Sequence, residues 1–294
     1  MSVVSERTAG ILMIVGSTAF FGLAGVFTKT ITADSWTIAG WRGISGAILM
    51  AAYVLWRARS RPLRPALRLG WRGWTLAVVG AVASILFISA FKQTTVSNVA
   101  VAYATAPFMA AGLAWAFFRE SSPMRTMVTA LVSLVGVVIM VAGGLEAGRL
   151  QGDLTALLMT FCCALYIVLV RAFRDSPTVW AGAVSAFLLF LACFAFVDPF
   201  AVSGRDLLLC CCFGTSFAIA TVLWTEGAMR LPPAESGLLG TAEVPVAVTF
   251  AWLFLSELPP LASVIGGGIV VAAVFWYASR DLIAARRQAV EPAV

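Results

Sequence analysis

The chain has 294 residues, 61% of them hydrophobic and only 12% charged, with a mean hydropathy of +0.96 and a formal net charge of +6. A soluble chain of this length would carry about twice that charge, so hydrocarbon must be part of the solvent. The basic excess does not point to nucleic acid, because the arginines fall between apolar segments with no aromatic-basic pattern.

A span needs about 20 apolar residues to cross a core of about 30 Å. Ten such runs follow one another, at 8–30, 36–56, 72–92, 97–118, 124–143, 153–173, 178–198, 206–229, 234–255 and 260–283. The first follows Arg7 and superficially resembles a signal peptide, but its length and the runs after it predict an uncleaved first helix. The breaks carry turn chemistry: "TADS" at 32, "SSP" at 121, "GGLEAGRLQGD" at 143, "RDSP" at 174, "DPFAVSGRD" at 198 and "LPP" at 231 and 258. These loops are short, so neighbouring helices are expected to be antiparallel, and no soluble domain fits anywhere. The fold class is an all-α polytopic membrane protein.

Cys162, Cys163, Cys193 and Cys210 to Cys212 all lie in apolar stretches, which favours small buried hydrophobes over disulfides or zinc. There is no histidine, so the usual metal ligand and proton carrier are missing. No metal and no cofactor are expected.

Lysine and arginine set the orientation. With the N-terminus inside, the inside loops hold Arg7, Arg57, Arg59, Arg61, Arg64, Arg68, Arg72, Arg119, Arg125, Arg171, Arg174, Arg230, Arg280, Arg286 and Arg287. The outside loops hold Lys29, Lys92, Arg149 and Arg205, and Arg42 falls within a span. This bias predicts cytoplasmic termini. The loop "WRARSRPLRPALRLGWR" reads as a topology anchor against anionic lipid.

A repeat underlies the ten runs. "AWAFFRE" at 114–120 and "AWLFLSE" at 251–257 share Ala-Trp-x-Phe-x-x-Glu. Upstream, "TAP" at 105–107 matches "TAEVP" at 241–245, and Pro123 or Pro259 follows each copy. Residues 1–148 and 149–294 thus read as two copies of one five-helix unit. Five is odd, so the copies are inverted, and Glu120 and Glu257 fall on opposite sides. Inverted repeats are a signature of secondary transporters, with the substrate site near the midplane between the halves.

Several stretches carry a family resemblance: "AFFGLAGVFTK" ending at Lys29, "WRGISGA" around Arg42, "FKQTTVSNVAVAYATAPFMAAGLAWAFFRES" from 91, "DLTALLMTFCCALYIVLVR" from 153 and "MRLPPAESGLLGTAEVPVAVTFAWLFLSE" from 229. The chain resembles the drug/metabolite transporter superfamily, specifically its EamA-type ten-helix exporters, and looks most like the aromatic amino-acid exporter branch. Glu120 and Glu257 match the family's closing glutamates, but neither is followed by the customary arginine. The resemblance implies export of small metabolites across a bacterial-type inner membrane, by a chain expected to act as a monomer, with a dimer left open.

Pro107 and Pro245 sit mid-span in the fourth and ninth runs. Each lacks an N–H and crowds the carbonyl four residues back, that of Tyr103 or Thr241. Freed carbonyls in lipid need a protein or water partner, so both prolines are candidate hinges beside a cavity, with kinks used only for packing as the alternative. Glu243 lies about 12 Å deep at 1.5 Å per residue, as the one acid deep inside a span. An ionised centre there costs at least ~2.5 kcal/mol, so Glu243 must face the interior, a partner or water. It can hold a substrate ammonium, carry a coupled proton, or stay neutral and tie helices together. Arg42 and Lys29 are expected to snorkel to headgroups or pair with Asp34, and a substrate-carboxylate contact is the lesser alternative.

The helices the family uses for its cavity add Ser17, Phe20, Asn98, Tyr103, Tyr166, Trp224 and Thr241 to Glu243 as candidate substrate contacts. One acid with amides, hydroxyls and rings suits an amphipathic zwitterion or cation. Each ring can equally be packing or interfacial belt. The stripe Ala39, Gly43, Ala47, Ala51 and the "GGG" at 266–268 are close-packing signals, read as bundle scaffold.

The expected function is a secondary transporter exporting small amphipathic metabolites, amino acids including aromatic ones foremost, with a multidrug or cation exporter as the alternative. No phosphate-binding loop exists, so ATP is not the direct energy source. A membrane-embedded enzyme lacks a nucleophile-base pair, and a channel lacks a charge ring or filter, so both are remote.

Overall fold

The computed structural model describes residues 3–60, 67–118, 149–173, 176–230 and 239–273 apart from Thr241, with single helical positions between 128 and 142 and at 276. Much of the fifth apolar run, the start of the ninth, Glu120 and residues 61–66 of the arginine loop lie outside the described residues.

The described chain is helical throughout: α1 (Val3–Thr30), α2 (Ser35–Arg57), a short 3-10 turn (Ala58–Ser60), α3 (Gly70–Gln93), α4 (Val96–Tyr103), α5 (Ala106–Phe118), α6 (Leu150–Ala172), α7 (Thr178–Phe196), α8 (Gly204–Ala228), α9 (Glu243–Leu255) and α10 (Leu261–Ala273). Taking Val96–Phe117 as one run, 7 of these are long and apolar enough to cross a membrane, and α9 and α10 add shorter apolar helices. Leu12, Ile48, Val78, Leu154, Phe187 and Leu208 face outward and are exposed on six different helices. Such a surface is untenable in water and ordinary in lipid.

Helix starts follow local chemistry. Asp34 Oδ1 accepts from the N–H of Trp36 (2.8 Å) and Thr37 (3.1 Å) and caps α2. Thr95 caps α4 through the N–H of Asn98 (3.2 Å), and Ser203 caps α8 through that of Asp206 (3.1 Å). Asp34 lies outside the spans; burial pushes its pKa up, but hydrogen bonds from Thr37 and the cap backbone outweigh this and hold it below the ordinary carboxylate value.

The fourth run does not merely bend. It breaks at Ala104–Thr105, and α5 restarts one residue before Pro107. Pro107 cannot donate to the carbonyl of Tyr103, while Thr105 Oγ1 donates to that of Ala102 at 2.7 Å. The ninth run behaves alike, with α9 restarting at Glu243 after a turn at Ala242, two residues before Pro245.

The two ends of the bundle are defined by contacts. At the far end, Lys29 Nζ donates to the carbonyl of Thr94 (2.6 Å), Lys92 donates to that of Ile31, and the Trp41 ring N–H donates to that of Pro199 (2.7 Å). At the near end, which carries the first described residue, Trp71 of α3 meets Phe173 of α6 edge-on at 5.3 Å. The helices that link these ends alternate in direction, as the short loops predicted.

Exchange α1 for α6, α2 for α7, α3 for α8 and α4–α5 for α9, and the packing pairs map onto one another. α1 packs on α8 as α6 packs on α3; α2 lies on α8 as α7 lies on α3; α1 touches α9 as α6 touches α4 and α5. α2 and α7, which this exchange swaps for one another, pack on each other. The small-residue stripe of α2 makes this contact close: a Cβ at Gly43 would lie 2.4 Å from the carbonyl oxygen of Ala186, and one at Gly40 would lie 2.9 Å from Cys193 Cβ. In "GGG", a Cβ at Gly267 would lie 2.6 Å from Val101 Cγ2, whereas Gly268 faces open space.

Candidate functional site

Between the halves, α1, α3, α4 and α9 enclose a cavity of ≈ 20 Å³, room for about one water. Its wall is Phe21, Gly25, Phe87, Phe91, Val99, Ala100, Tyr103, Glu243 and Ala247. The break in the ninth run places Glu243 at the first turn of α9, facing the break in the fourth run where Tyr103 ends α4. No described residue hydrogen-bonds the Glu243 carboxylate, and Tyr103 and Cys163 lie within electrostatic reach of it. Two helix breaks and one carboxylate therefore meet in one aromatic-walled space.

The other expected contacts scatter. Asn98 is buried in the far-end network and does not line the cavity. Ser17 is fully buried and donates to the carbonyl of Ile14 at 2.7 Å on its own helix. The carbonyl of Phe20 accepts from Ser216 of α8 at 3.0 Å, and its neighbour Phe21 reaches the cavity instead. Tyr166 lies on Gly80 of α3, where a Cβ would be 3.4 Å from its ring. The Trp224 ring edge occupies the space of a Cβ on Gly240, at 2.3 Å, one turn before Glu243. Thr241 lies outside the described residues, as do the side chains of Pro107 and Pro245.

Phe87 and Phe91 were missed by sequence reasoning, although their spacing of four on α3 puts them on one face. Their rings meet edge-on at 4.7 Å. The difference between Phe20 and Phe21 is a rotation of about 100° on a helix of 3.6 residues per turn, which an evenly apolar span does not reveal.

Glu243 is half-buried, and the acids that are buried lie elsewhere, which corrects the expectation from sequence. Asp153, Asp206 and Glu226 are 0%, 3% and 8% exposed. They occupy helix termini that the sequence pattern reads as wet, but other helices cover those termini. Asp153 Oδ1 accepts from Thr94 Oγ1 (2.6 Å) and Asn98 Nδ2 (2.8 Å), while Ser263 donates to the Asn98 amide oxygen. Asp206 Oδ2 accepts from Thr32 Oγ1 (2.6 Å) and the N–H groups of Thr32 (3.2 Å) and Ala33 (3.1 Å). Glu257 accepts from the N–H of Val96 at 3.0 Å, so the closing glutamate of the second half caps α4 of the first. Its position follows from Ser256, whose φ of 53° is left-handed and ends α9. This network ties the helices together at the far end.

At the near end Glu226 accepts from Tyr53 and pairs with Arg57 (3.0 Å) and Arg230 (2.9 Å), and Arg230 reaches Glu6 at 3.4 Å. α1, α2 and α8 are thereby tied together. Glu226→Ala is expected to lower stability by about 1–3 kcal/mol by orphaning the Tyr53 hydroxyl and two part-exposed arginines. Thermal unfolding of the purified protein reads this, and a midpoint equal to wild type would mean the cluster contributes nothing.

Arg42 also departs from expectation. It neither snorkels nor pairs with Asp34; it is 5% exposed, and Nη1 donates to Ser84 Oγ at 2.8 Å. Its position in the eighth place of α2 is turned inward, between α3 and α8, so the headgroup region is out of reach.

An apolar bundle of alternating helices, whose halves exchange contacts around a small, mainly apolar cavity holding one carboxylate, has the build of a membrane transport protein. The model of the EamA-like transporter family matches residues 8–142 and again 150–279, so the chain belongs to that family and carries two EamA repeats. It is a multi-pass membrane transporter of small molecules. A solved structure described as "Crystal structure of protein" is similar with a TM-score of 0.66 at 18% identity, covering 96% of this chain and 99% of that chain, a likeness of fold alone. Among curated proteins no significant relative is found.

Proposed function

We propose that the chain is a secondary active transporter that works by alternating access and exports small amphipathic metabolites, amino acids including aromatic ones foremost. The observation that carries this reading is the small cavity in which Glu243 faces Phe21, Phe87, Phe91 and Tyr103. A carboxylate attracts an ammonium, and the rings take an apolar body or the face of a cation. Polar networks at both ends support a closed intermediate between inward-open and outward-open states. Pro107 and Pro245, beside the two breaks, are the hinges in this reading. Residues 1–148 and 149–294 are the inverted halves, the termini face the cytoplasm, and the membrane is a bacterial-type inner membrane. Arginines 57, 59, 68 and 72 at the near end support that orientation.

A second reading, export of organic cations, has one observation in its favour: among the described residues, no basic side chain lines the cavity. Counterflow in proteoliposomes separates the two. Phenylalanine, tyrosine, tryptophan and other neutral amino acids are expected to exchange; exchange of quaternary amines alone would sink the amino-acid assignment.

Glu243→Gln is expected to reduce amino-acid counterflow roughly 10- to 100-fold, the range for losing a hydrogen bond to a charged partner. Measured across pH 5 to 9, it is also expected to flatten the wild-type profile. An unchanged rate and profile would leave Glu243 only a structural role.

A further inference from the structure

Arg42 is a guanidinium buried in a span, and no described carboxylate pairs with it. Its surroundings are the faces of Phe217 and Phe213, with Cζ 4.1 Å and 4.8 Å from the ring centroids, and the Ser84 hydroxyl at 2.8 Å. The Nε atom is buried and has no hydrogen-bond partner. The other cations near it in the fold are served differently. Lys29 and Lys92 reach backbone carbonyls at the far end, and Arg57 and Arg230 share Glu226. Aromatic faces and one hydroxyl only partly offset the desolvation of a charge, and a guanidinium's planar fork matches a carboxylate.

The guanidinium stands one ring layer from the cavity. Phe217, which it covers, meets Phe21 edge-on at 6.0 Å, and Phe21 is cavity wall. On α3, Ser84 holds Arg42 and Phe87, one turn on, is again cavity wall. Across the halves, Ser185 of α7 on Gly80 of α3 matches Ser45 of α2 on Gly214 of α8, so Ser185 pairs with Ser45, one turn from Arg42. The first half contributes the buried guanidinium of Arg42, and the second contributes the cavity carboxylate of Glu243.

We propose that Arg42 is the anion subsite of the transport path, taking the carboxylate of a solute whose ammonium is held at Glu243. This rests on the reading of the cavity as the solute site, and it narrows the substrate class to zwitterions with an apolar side chain. Displacement of the Phe21–Phe217 edge contact joins the two subsites, and the unpartnered Nε is then available beside Nη1 for a two-point contact. A solute without a carboxylate engages Glu243 and the rings but leaves the guanidinium unpaired.

The test measures binding to purified protein in nanodiscs of three probes: 3-phenylpropionate, phenethylamine and phenylalanine. Arg42→Gln is expected to weaken 3-phenylpropionate and phenylalanine roughly 10- to 100-fold and phenethylamine by less than about twofold. Glu243→Gln is expected to show the reverse pattern for the two single-charge probes. Unchanged carboxylate binding in Arg42→Gln, or equal weakening of all three probes, overturns the proposal. Should Arg42→Gln fail to fold, Arg42→Lys keeps the charge without the fork; selective loss of carboxylate binding supports the subsite, and equal affinity for all probes overturns it. Phenylalanine counterflow that survives Arg42→Gln unchanged removes the subsite and leaves the transport reading standing. Arg42-dependent carboxylate binding without amino-acid counterflow removes the amino-acid reading and leaves the subsite.

Discussion

Asp153→Ala is expected to destabilise the protein by about 2–4 kcal/mol, because two buried donors lose their acceptor at about 1–3 kcal/mol each. Thr94 Oγ1 and Asn98 Nδ2 both point at Asp153 Oδ1, and all three residues are no more than 2% exposed. The estimate stays at the lower end of the sum because Asn98 Nδ2 keeps Thr94 Oγ1 at 3.2 Å. Asp153→Asn retains one acceptor oxygen and is expected to lose about 1 kcal/mol or less, since Oδ2 has no partner to forfeit. Thermal unfolding by size-exclusion survival reads the difference. Equal midpoints for the alanine variant and wild type would show that the far-end network does not hold α3, α4 and α6 together. Asp153→Ala is also expected to loosen the packing of α3, α4 and α6 at the far end, and in the transport reading its counterflow should fall further than its folded fraction does.

The second large effect concerns helix approach. In Gly43→Ala the new methyl would lie 2.4 Å from the carbonyl oxygen of Ala186, and in Gly214→Ala it would lie 1.9 Å from Ser45 Oγ and 2.4 Å from the carbonyl oxygen of Arg42. The Ser45 hydroxyl can rotate away, but backbone cannot, so α2 must retreat from α7 or α8. Overpacking of this kind costs about 1–3 kcal/mol for each site. The two variants share α2, so their effects are not expected to add. Gly112→Ala and Gly268→Ala are the controls, because a Cβ at either meets nothing within 4 Å. They are expected to be neutral or slightly stabilising, as alanine is the better helix former. Loss of monodisperse protein for the first pair and not the second supports the close contact. Four indistinguishable profiles would remove it. Both sensitive glycines flank Arg42, so their substitution should also weaken carboxylate probes.

Much of the architecture is legible because it rests on one-dimensional signals. Apolar run length sets span length, and proline has no N–H, so the interruptions near Pro107 and Pro245 could be placed to within a few residues. The stripe Ala39, Gly43, Ala47 was readable as contact, because small residues matter only where backbones approach. The match around the two closing glutamates exposed the repeat, which the exchange of packing pairs and the paired family match now express in space. Tyr103 and Glu243 were both recognisable, one at each break.

What the sequence by itself determined is the class: a helical membrane protein, in two related halves, interrupted where proline removes a donor. Only the tertiary structure decided which polar groups belong to which end. Asp153, Asp206 and Glu226 read as solvated helix termini, yet become the buried ties because distant helices cover them. Arg42 read as a side chain that snorkels or pairs with Asp34, and became a buried charge between two phenylalanine faces with no carboxylate partner among the described residues. Asn98 read as a cavity residue, and its side chain lies in the hydrogen-bond network with Thr94, Asp153 and Ser263. Local pattern sets how far a helix runs and where it breaks, whereas partners come from other helices. In evenly apolar spans no periodicity marks the inward face, so a rotation of one residue, Phe20 or Phe21, is settled only when the helices pack.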